Sequence, residues 1–492
     1  MEQYAIGIDI GTGSVKALAL TLSGTVIANL QKHHPTISPE NGYSEQDPDL
    51  IFKIFIDLIN DVLYNVGYAP EVIGLSSCMH SLICIDKHHT PISPLITWAD
   101  NRAAPIAEGF RTSGMAKKIY NRSGAPVHSM LPFCKIIWMK ENSADLFKRT
   151  AKFISIKEYI WYRLFKSYEV DESIASATGL FNTSKRQWDK TLLKLCSIEP
   201  GRLSEIISTN SLSIYNNQLE ILKVDKAIAF CIGASDGCLA NLGVNALRPG
   251  IAALTIGTSG AVRVASQQVL LNSATMLFNY VLDQNTFIIG GPVNNGGNVV
   301  PWLLKTFLQK NKATVEDYNN LFTTIKSVPA GCDGLVFLPY INGERCPVWD
   351  EHSSGIFIGV RAYHSTLHFL RAGIESVCYA LKNILEELQL HNSIKQVNVT
   401  GGFINSSEWL QMLTDILNKK INVMPEQDAS ARGAAILAFK SIDILKTYKF
   451  PSGKIQILKP DKKLQLIYNK QYSVYKTLYN SNANQMHVLN KS

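Results

Sequence analysis

The chain has 492 residues, 46% of them hydrophobic and 18% charged. That length suits two large domains or three smaller ones with ample core. The formal charge of +8 is spread thinly, with no basic stripe carrying interleaved aromatics, which argues against nucleic-acid binding and leaves small anionic substrates open. The nine cysteines stand singly without a CxxC pair, so neither a zinc pattern nor a disulfide framework is expected and a reducing cytoplasmic setting follows. No basic leader precedes the first strand and no apolar run of membrane-spanning length occurs, so no membrane association is expected.

Residues 4–19 read as strand, tight turn and strand. The short β-branched run to Ile8 favours a buried strand. Gly11 and Gly13 leave the turn's N–H groups unobstructed, while Thr12, Ser14 and Lys16 add hydroxyl donors and a cation, a combination suited to phosphate oxygens. Asp9 ends the first strand, where a carboxylate serves Mg²⁺ through water or faces a transferred phosphoryl group. An ordinary glycine-rich turn is the plain alternative. Thr25–Ala28 predicts a third strand. Asp47-Pro48 opens a helix with Asp47 as cap and Pro48 in the first turn.

Val72–Ser76 is a further strand. It leads into Met79-His80, and a later strand ends at Trp98 with Asp100-Asn101-Arg102 behind it; polar strand ends of this kind hold ligands in α/β folds. Residues 132–165 read as helical, 171–181 as a polar loop with a short helix, and 183–222 as small helices and turns. Ala227–Ile232 is a buried-type strand that stops at Gly233-Ala234-Ser235-Asp236-Gly237, placing one carboxylate between glycines where it can approach a substrate closely.

Leu254–Gly260 repeats Ile8–Ser14 about 246 residues later: apolar strand, Gly-Thr turn, apolar strand. The acidic residue is absent from the second copy. A repeat at this spacing predicts two related domains, each with a phosphate loop. Strand Thr286–Gly291 and Asn294-Asn295-Gly296-Gly297-Asn298 follow, then a helix over 299–308, a strand near 335–339 and a long helix over 366–390. Strand Gln396–Thr400 ends at Gly401-Gly402, where a flat ring can lie on bare backbone with Asn405 or Ser406 at its edge. Residues 431–438 predict a tightly packed helix rich in small side chains. Residues after about 448 are polar, show no strong periodicity, and read as an extension without an assigned structure.

This ordered set of motifs resembles the FGGY family of carbohydrate kinases over residues 4–445. Met130–Asn142 (MLPFCKIIWMKEN) fits the family's first signature, and Gly355–Val360 running through His368 to Glu375 fits the second, with Gly373 as a departure. The resemblance implies an α/β fold of two actin-like (ribonuclease H-like) domains with an interdomain cleft, placed at 1–246 and 247–447 with an extension at 448–492. It implies ATP and Mg²⁺ as cofactors and a sugar or sugar acid as acceptor. Asp9 falls in the first phosphate motif, on the metal side, with Gly11, Thr12, Gly13, Ser14 and Lys16. Gly257 and Thr258 form the second, Gly297 lies near the nucleotide, and Gly401, Gly402, Asn405 and Ser406 belong to the adenosine motif. Asp236 matches the general base, and Met79 and His80 match the sugar contacts, with Trp98, Asp100 and Arg102 beside them. Gly13 departs from the threonine that relatives often carry. Within the family the Ser77–Leu82 and Thr97–Arg102 segments are most similar to the gluconate-phosphorylating branch, with the xylulose branch as the nearest alternative. A sugar acid calls for a cation in its pocket, and Arg102 is the candidate. A non-catalytic actin-like sensor, or a chaperone or filament protein, would lack part of this set. Dimers are common among relatives, so a homodimer is possible on the resemblance.

Overall fold

The computed structural model describes residues 2–216, 220–224, 226–424, 428–445 and 455–490. By contacts the chain forms two compact units that are discontinuous in sequence. The first holds residues 1–245, 265–289 and 427–452; the second holds 246–264, 290–426 and 453–492. The helix Ala429–Ser441 therefore belongs with the first unit although it follows most of the second. Among the described residues no helix is long and apolar enough to cross a membrane.

The first unit is built on a six-stranded sheet in the order Leu212–Tyr215, Ile228–Ser235, Val72–Ser77, Tyr4–Ile10, Ser14–Thr21, Val26–His33. Tyr4–Ile10 pairs antiparallel with Ser14–Thr21 and parallel with Val72–Ser77, so the turn at Gly11–Gly13 sits at the same sheet end as Ser77 and its following loop. The helix Pro48–Val66 begins as its sequence predicts: Asp47 accepts from the backbone N–H groups of Asp49 and Leu50, and Pro48 occupies the first turn. Its apolar face, including Phe55, Leu58 and Val62, enters the core with Ile6, Ile8 and Ile73.

The second unit repeats this plan. Its sheet has seven strands, Phe278–Asp283 at one edge and then, in the repeated order, Thr286–Val293, Gly260–Ser266, Ile251–Ile256, Gln396–Thr400, Lys420–Val423, Gln456–Leu458. Ile251–Ile256 pairs antiparallel with Gly260–Ser266 and parallel with Gln396–Thr400, as Tyr4–Ile10 does with its own neighbours. Each sheet closes on an antiparallel edge strand beside its last parallel one. The duplication expected from the Gly-Thr turns thus extends over six strands of each sheet.

Three stretches differ from their sequence pattern. The expected helical run 132–165 is three helices, Pro132–Asn142, Ala144–Arg149 and Ile156–Phe165, with a strand Lys152–Ile154 between the last two. That strand pairs with Ile83–Ile85, a long-range contact that local periodicity does not carry. Residues 183–222 include the strands Glu205–Ile207 and Leu212–Tyr215 among the expected turns. Beyond residue 455 the chain forms the strand Gln456–Leu458 and the 26-residue helix Gln465–Asn490. Its buried stripe is Tyr468, Tyr472, Tyr475 and Leu478 at helical spacing, and tyrosine reads as polar in a composition scan although its ring packs as core.

The helix Ala429–Ser441 lies backbone-to-backbone on the first unit's sheet. A Cβ at Gly7 would overlap the Ala431 carbonyl, and one at Gly74 would overlap the Ala434 carbonyl. Gly7→Ala is expected to lower unfolding stability by about 1–3 kcal/mol through this overlap. Gly13→Ala, where a Cβ meets nothing within 4 Å, is expected to change it by less than about 0.5 kcal/mol. Urea denaturation of the two variants checks the contrast.

Candidate active site: two half-sites on equivalent strand ends

In the first unit the phosphate-type turn is closed by the Gly11 N–H donating to the Ser14 carbonyl at 3.0 Å. Three side chains orient it. Trp98 Nε1 donates to Thr12 Oγ1 at 2.9 Å, so the Thr12 hydroxyl proton can point away from the indole, and Gln46 Nε2 donates to the Thr12 carbonyl. Gln31 Nε2 donates to Ser14 Oγ at 2.9 Å. Lys16 Nζ is paired with Asp428 Oδ1 at 2.6 Å, immediately before the helix Ala429–Ser441.

Asp9 stands at the strand end with Oδ1 accepting from Ser76 Oγ at 2.8 Å. Burial, and then the neighbouring Asp236 carboxylate, push its acid up to about 7, while Ser76 and Lys16 pull the other way. Asp236 begins the helix Asp236–Gly243, part-buried, and its Oδ1 accepts from the Gly237 N–H at 2.6 Å. Its carbonyl accepts from Ser430 Oγ at 3.2 Å. Asp9 and Asp236 are therefore near enough to feel each other's charge within one unit.

The strand that delivers Asp236 is bulged. Its register shifts between Cys231 and Ala234, with Gly233 at φ 69°, where a Cβ would overlap the Leu75 carbonyl. Lys157, buried in the helix Ile156–Phe165, holds this bulge. Its ammonium donates to the Ala234 carbonyl at 2.9 Å, the Ile232 carbonyl at 3.2 Å and Asp171 Oδ2 at 2.7 Å. The backbone N–H of Ser235 in turn donates to Ser173 Oγ at 3.1 Å.

Met79 and His80 follow Val72–Ser77. Met79 packs against the Val170–Val281 cluster. His80 takes a left-handed φ of 65°, with Nδ1 2.7 Å from the Ala177 carbonyl and Nε2 3.3 Å from the Tyr280 hydroxyl. Lys135, fully buried in the first signature helix, donates to the His80 carbonyl at 2.8 Å and the Thr97 carbonyl at 2.6 Å. Burial pushes its ammonium down to about 7.

Asp100 and Arg102 are paired with each other and with the loop that precedes the first helix. Asp100 is fully buried and accepts from the Ser44 N–H at 2.7 Å and from Arg102 Nε at 2.8 Å. Arg102 also pairs with Glu45, and its guanidinium carbon lies 3.8 Å over the Tyr43 ring. With both carboxylates engaged and its side chain 8% exposed, Arg102 is spent on closing the Tyr43–Glu45 loop. In this structure the Arg102 charge is thus paired with Asp100 and Glu45.

In the second unit the matching turn is closed by the Gly257 N–H to the Ser259 carbonyl at 2.9 Å. Thr255 occupies the place of Asp9 and shares a hydrogen bond of 3.1 Å with Thr400, as Asp9 does with Ser76. Gly297 fits against this turn so closely that a Cβ would meet the Gly257 carbonyl, and its N–H donates to that carbonyl at 2.8 Å. Beside it lies a cavity of about 500 Å³. Val300, Pro301, Phe322, Phe403 and Trp409 form its apolar walls; Thr258, Asn405 and Ser406 form its polar rim. Gly402 presents bare backbone to it, with nothing within 4 Å of a Cβ, whereas Gly401 is behind, at φ 107° and pressed on the Ile256 carbonyl.

Sequence patterns did not single out Lys157, Asp171, Gln46, Asp428, Ser430, Phe322 or Trp409. Each acts through a partner distant in sequence. Local capping marks two of them, through the Ser406 cap on the Trp409 N–H at 3.2 Å and the Asp171 cap on the Ile174 N–H at 2.9 Å.

In each unit three antiparallel strands stand beside two parallel ones with a Gly-Thr turn at the strand end, the plan of an actin-like fold. The N-terminal domain model of the FGGY family of carbohydrate kinases matches residues 4–243 and its C-terminal domain model matches residues 252–442, so the chain belongs to the FGGY family of carbohydrate kinases. It is 35% identical to a gluconokinase of Bacillus licheniformis over 92% of this chain and 91% of that one. It is 27% identical to a xylulose kinase of Staphylococcus xylosus over 97% and 99%. Among solved structures it superimposes on a gluconate kinase and on a ligand-bound xylulose kinase, both from Lactobacillus acidophilus. Each has a TM-score of 0.92 and 32% identity over 98% of this chain, covering 99% and 98% of theirs.

Two outcomes follow from the buried lysines. Lys157→Met leaves Asp171 buried without its cation and is expected to cost about 3–5 kcal/mol of stability, only part of it recovered in Lys157→Met/Asp171→Leu because the Ile232 and Ala234 carbonyls still lack their donor; denaturant unfolding of both variants measures this. Lys135, with its folded value lowered to about 7, binds fewer protons in the folded than in the unfolded chain between pH 7 and about 10. Its contribution to stability therefore rises with pH across that window, and Lys135→Met is expected to flatten the rise in thermal unfolding measured from pH 7 to 9.

Proposed function

We propose that this carbohydrate kinase transfers the γ-phosphoryl group of ATP, with Mg²⁺, to the terminal hydroxyl of D-gluconate. The observation that carries the chemistry is Asp236, set at a helix start by an anchored bulge and near a second carboxylate, Asp9, whose acidity is already weakened. The cavity of the second unit fits adenosine: apolar walls for a ring, bare Gly402 backbone for close approach, and Asn405 and Ser406 as polar edges. Asp9 fits the cation side, because a divalent ion favours its ionised form. Asp9 would hold the ion as a single protein carboxylate, and the bound ion would offset charge on the nucleotide's phosphates.

The nucleotide supplies the phosphoryl group and the metal neutralises phosphate charge. Asp236 accepts the proton of the attacking hydroxyl as the new bond to phosphorus forms. The Thr12 and Gly13 main-chain N–H groups, with the Thr12 and Ser14 hydroxyls, donate to phosphate oxygens as charge moves onto them. Gly13, which gives up one hydroxyl relative to many family members, leaves that contact to the backbone. His80, fixed by Ala177 and Tyr280, and Met79 shape the acceptor pocket.

Gluconate is favoured over xylulose by the 35% and 36% identities to Bacillus gluconokinases against 27% for the xylulose kinases. The two Lactobacillus structures stand level, so their likeness does not separate the sugars. An ADP-release assay across gluconate, xylulose, ribulose, glycerol and fuculose decides between them: turnover with gluconate is expected, and release with a ketopentose alone overturns the assignment. Asp236→Asn is expected to cut kcat by about 10²–10⁴ while ADP still binds; near-normal turnover removes it as the base.

A further inference from the structure

Residues 455–490 lie beyond both family matches, yet the helix Gln465–Asn490 reaches the loop that supports the second phosphate turn. Tyr479 donates its hydroxyl proton to Asp350 Oδ2 at 2.9 Å, and His487 Nε2 lies 2.7 Å from the same oxygen. Asn490 Nδ2 donates to the His352 carbonyl at 3.0 Å. Asp350 and Glu344 exchange both backbone hydrogen bonds, each at 2.9 Å, so fixing Asp350 fixes Glu344.

Glu344 is fully buried and holds the Asn-rich loop. It accepts from the backbone N–H of Asn294 at 2.5 Å, the N–H of Arg345 at 2.8 Å and the amide of Asn295 at 3.1 Å. Arg345 Nε donates to Asn294 Oδ1 at 2.6 Å. The next residues are Gly296 and Gly297, which touch Ser259 and Gly257, and the Asn298 N–H donates to the Thr258 carbonyl at 3.0 Å. Every step lies in the second unit and passes through directional hydrogen bonds, part-buried at Tyr479 and His487 and buried where Glu344 meets Asn295 and Arg345.

We propose that Tyr479 and His487 are positioning residues for nucleotide binding, acting through Asp350 and Glu344 on the Gly297–Thr258 phosphate turn. This rests on the nucleotide reading of that half-site. The C-terminal helix is then a working part of the kinase, and its end sets how well the turn is presented to a nucleotide's phosphates.

The test is calorimetric binding of Mg·ADP to the full chain, with KM values for ATP and sugar beside it. Tyr479→Phe/His487→Ala is expected to weaken ADP binding about tenfold and raise the ATP KM alike, with the sugar KM held within about twofold. Tyr479→Phe alone keeps the ring and is expected to give a smaller shift in the same direction, so the series reads out even if the double variant unfolds. Tyr468→Phe is the control: it removes a 3.2 Å bond from Arg371 on the same helix and is expected to lower thermal stability without changing ADP affinity. Unchanged ADP affinity in both Tyr479 variants, or an equal loss in Tyr468→Phe, overturns the proposal. Absence of ADP binding by the wild-type chain overturns the nucleotide reading and the proposal with it.

Discussion

The first half-site depends on one close approach of backbone to backbone. Gly7 and Gly74 on adjacent strands leave no side chain between the sheet and the helix Ala429–Ser441, and Gly433 on that helix rests against Leu239 in the helix that starts at Asp236. Three elements far apart in sequence are thereby drawn into van der Waals contact. The consequence is electrostatic. The start of the returning helix brings Asp428 to Lys16 and Ser430 to the Asp236 carbonyl, so charges from residues 9, 16, 236 and 428 share one strand end.

The duplicated plan shows what differs between the halves. The same strand register places Asp9 beside Ser76 in one unit and Thr255 beside Thr400 in the other. One copy presents a carboxylate with weakened acidity next to Asp236; the other presents neutral hydroxyls next to an apolar cavity. A carboxylate suits proton and metal chemistry, and neutral donors suit an adenosine phosphate without adding repulsion. The two turns share one pattern and differ in the charge beside them.

Buried charge elsewhere serves placement. Arg102 was the natural candidate for a substrate anion because it follows a polar strand end. Its Nε and Nη2 are engaged by Glu45 and Asp100, and Tyr43 lies beneath the guanidinium. Lys157 and Lys135 likewise spend their amines on backbone carbonyls at the Asp236 bulge and the His80 loop. A cation in the sequence announces its charge but not which acceptors lie around it once it is folded.

The sequence by itself determined the paired Gly-Thr turns, the strands that carry them, the Asp47-Pro48 helix start and the placing of Asp236 just after an apolar strand. These are local: periodicity, turn chemistry and capping act over a few residues, and a repeated motif is visible wherever it recurs. Its motifs also sufficed for the family. Only the tertiary structure decided that Arg102 faces inward, that Lys157 steadies the bulge before Asp236, and that the helix after Asp428 joins the first unit. The polar-looking tail became a tyrosine-striped helix for the same reason. Each outcome turns on a partner tens to hundreds of residues away, and composition and spacing hold no record of which partner the folded chain supplies.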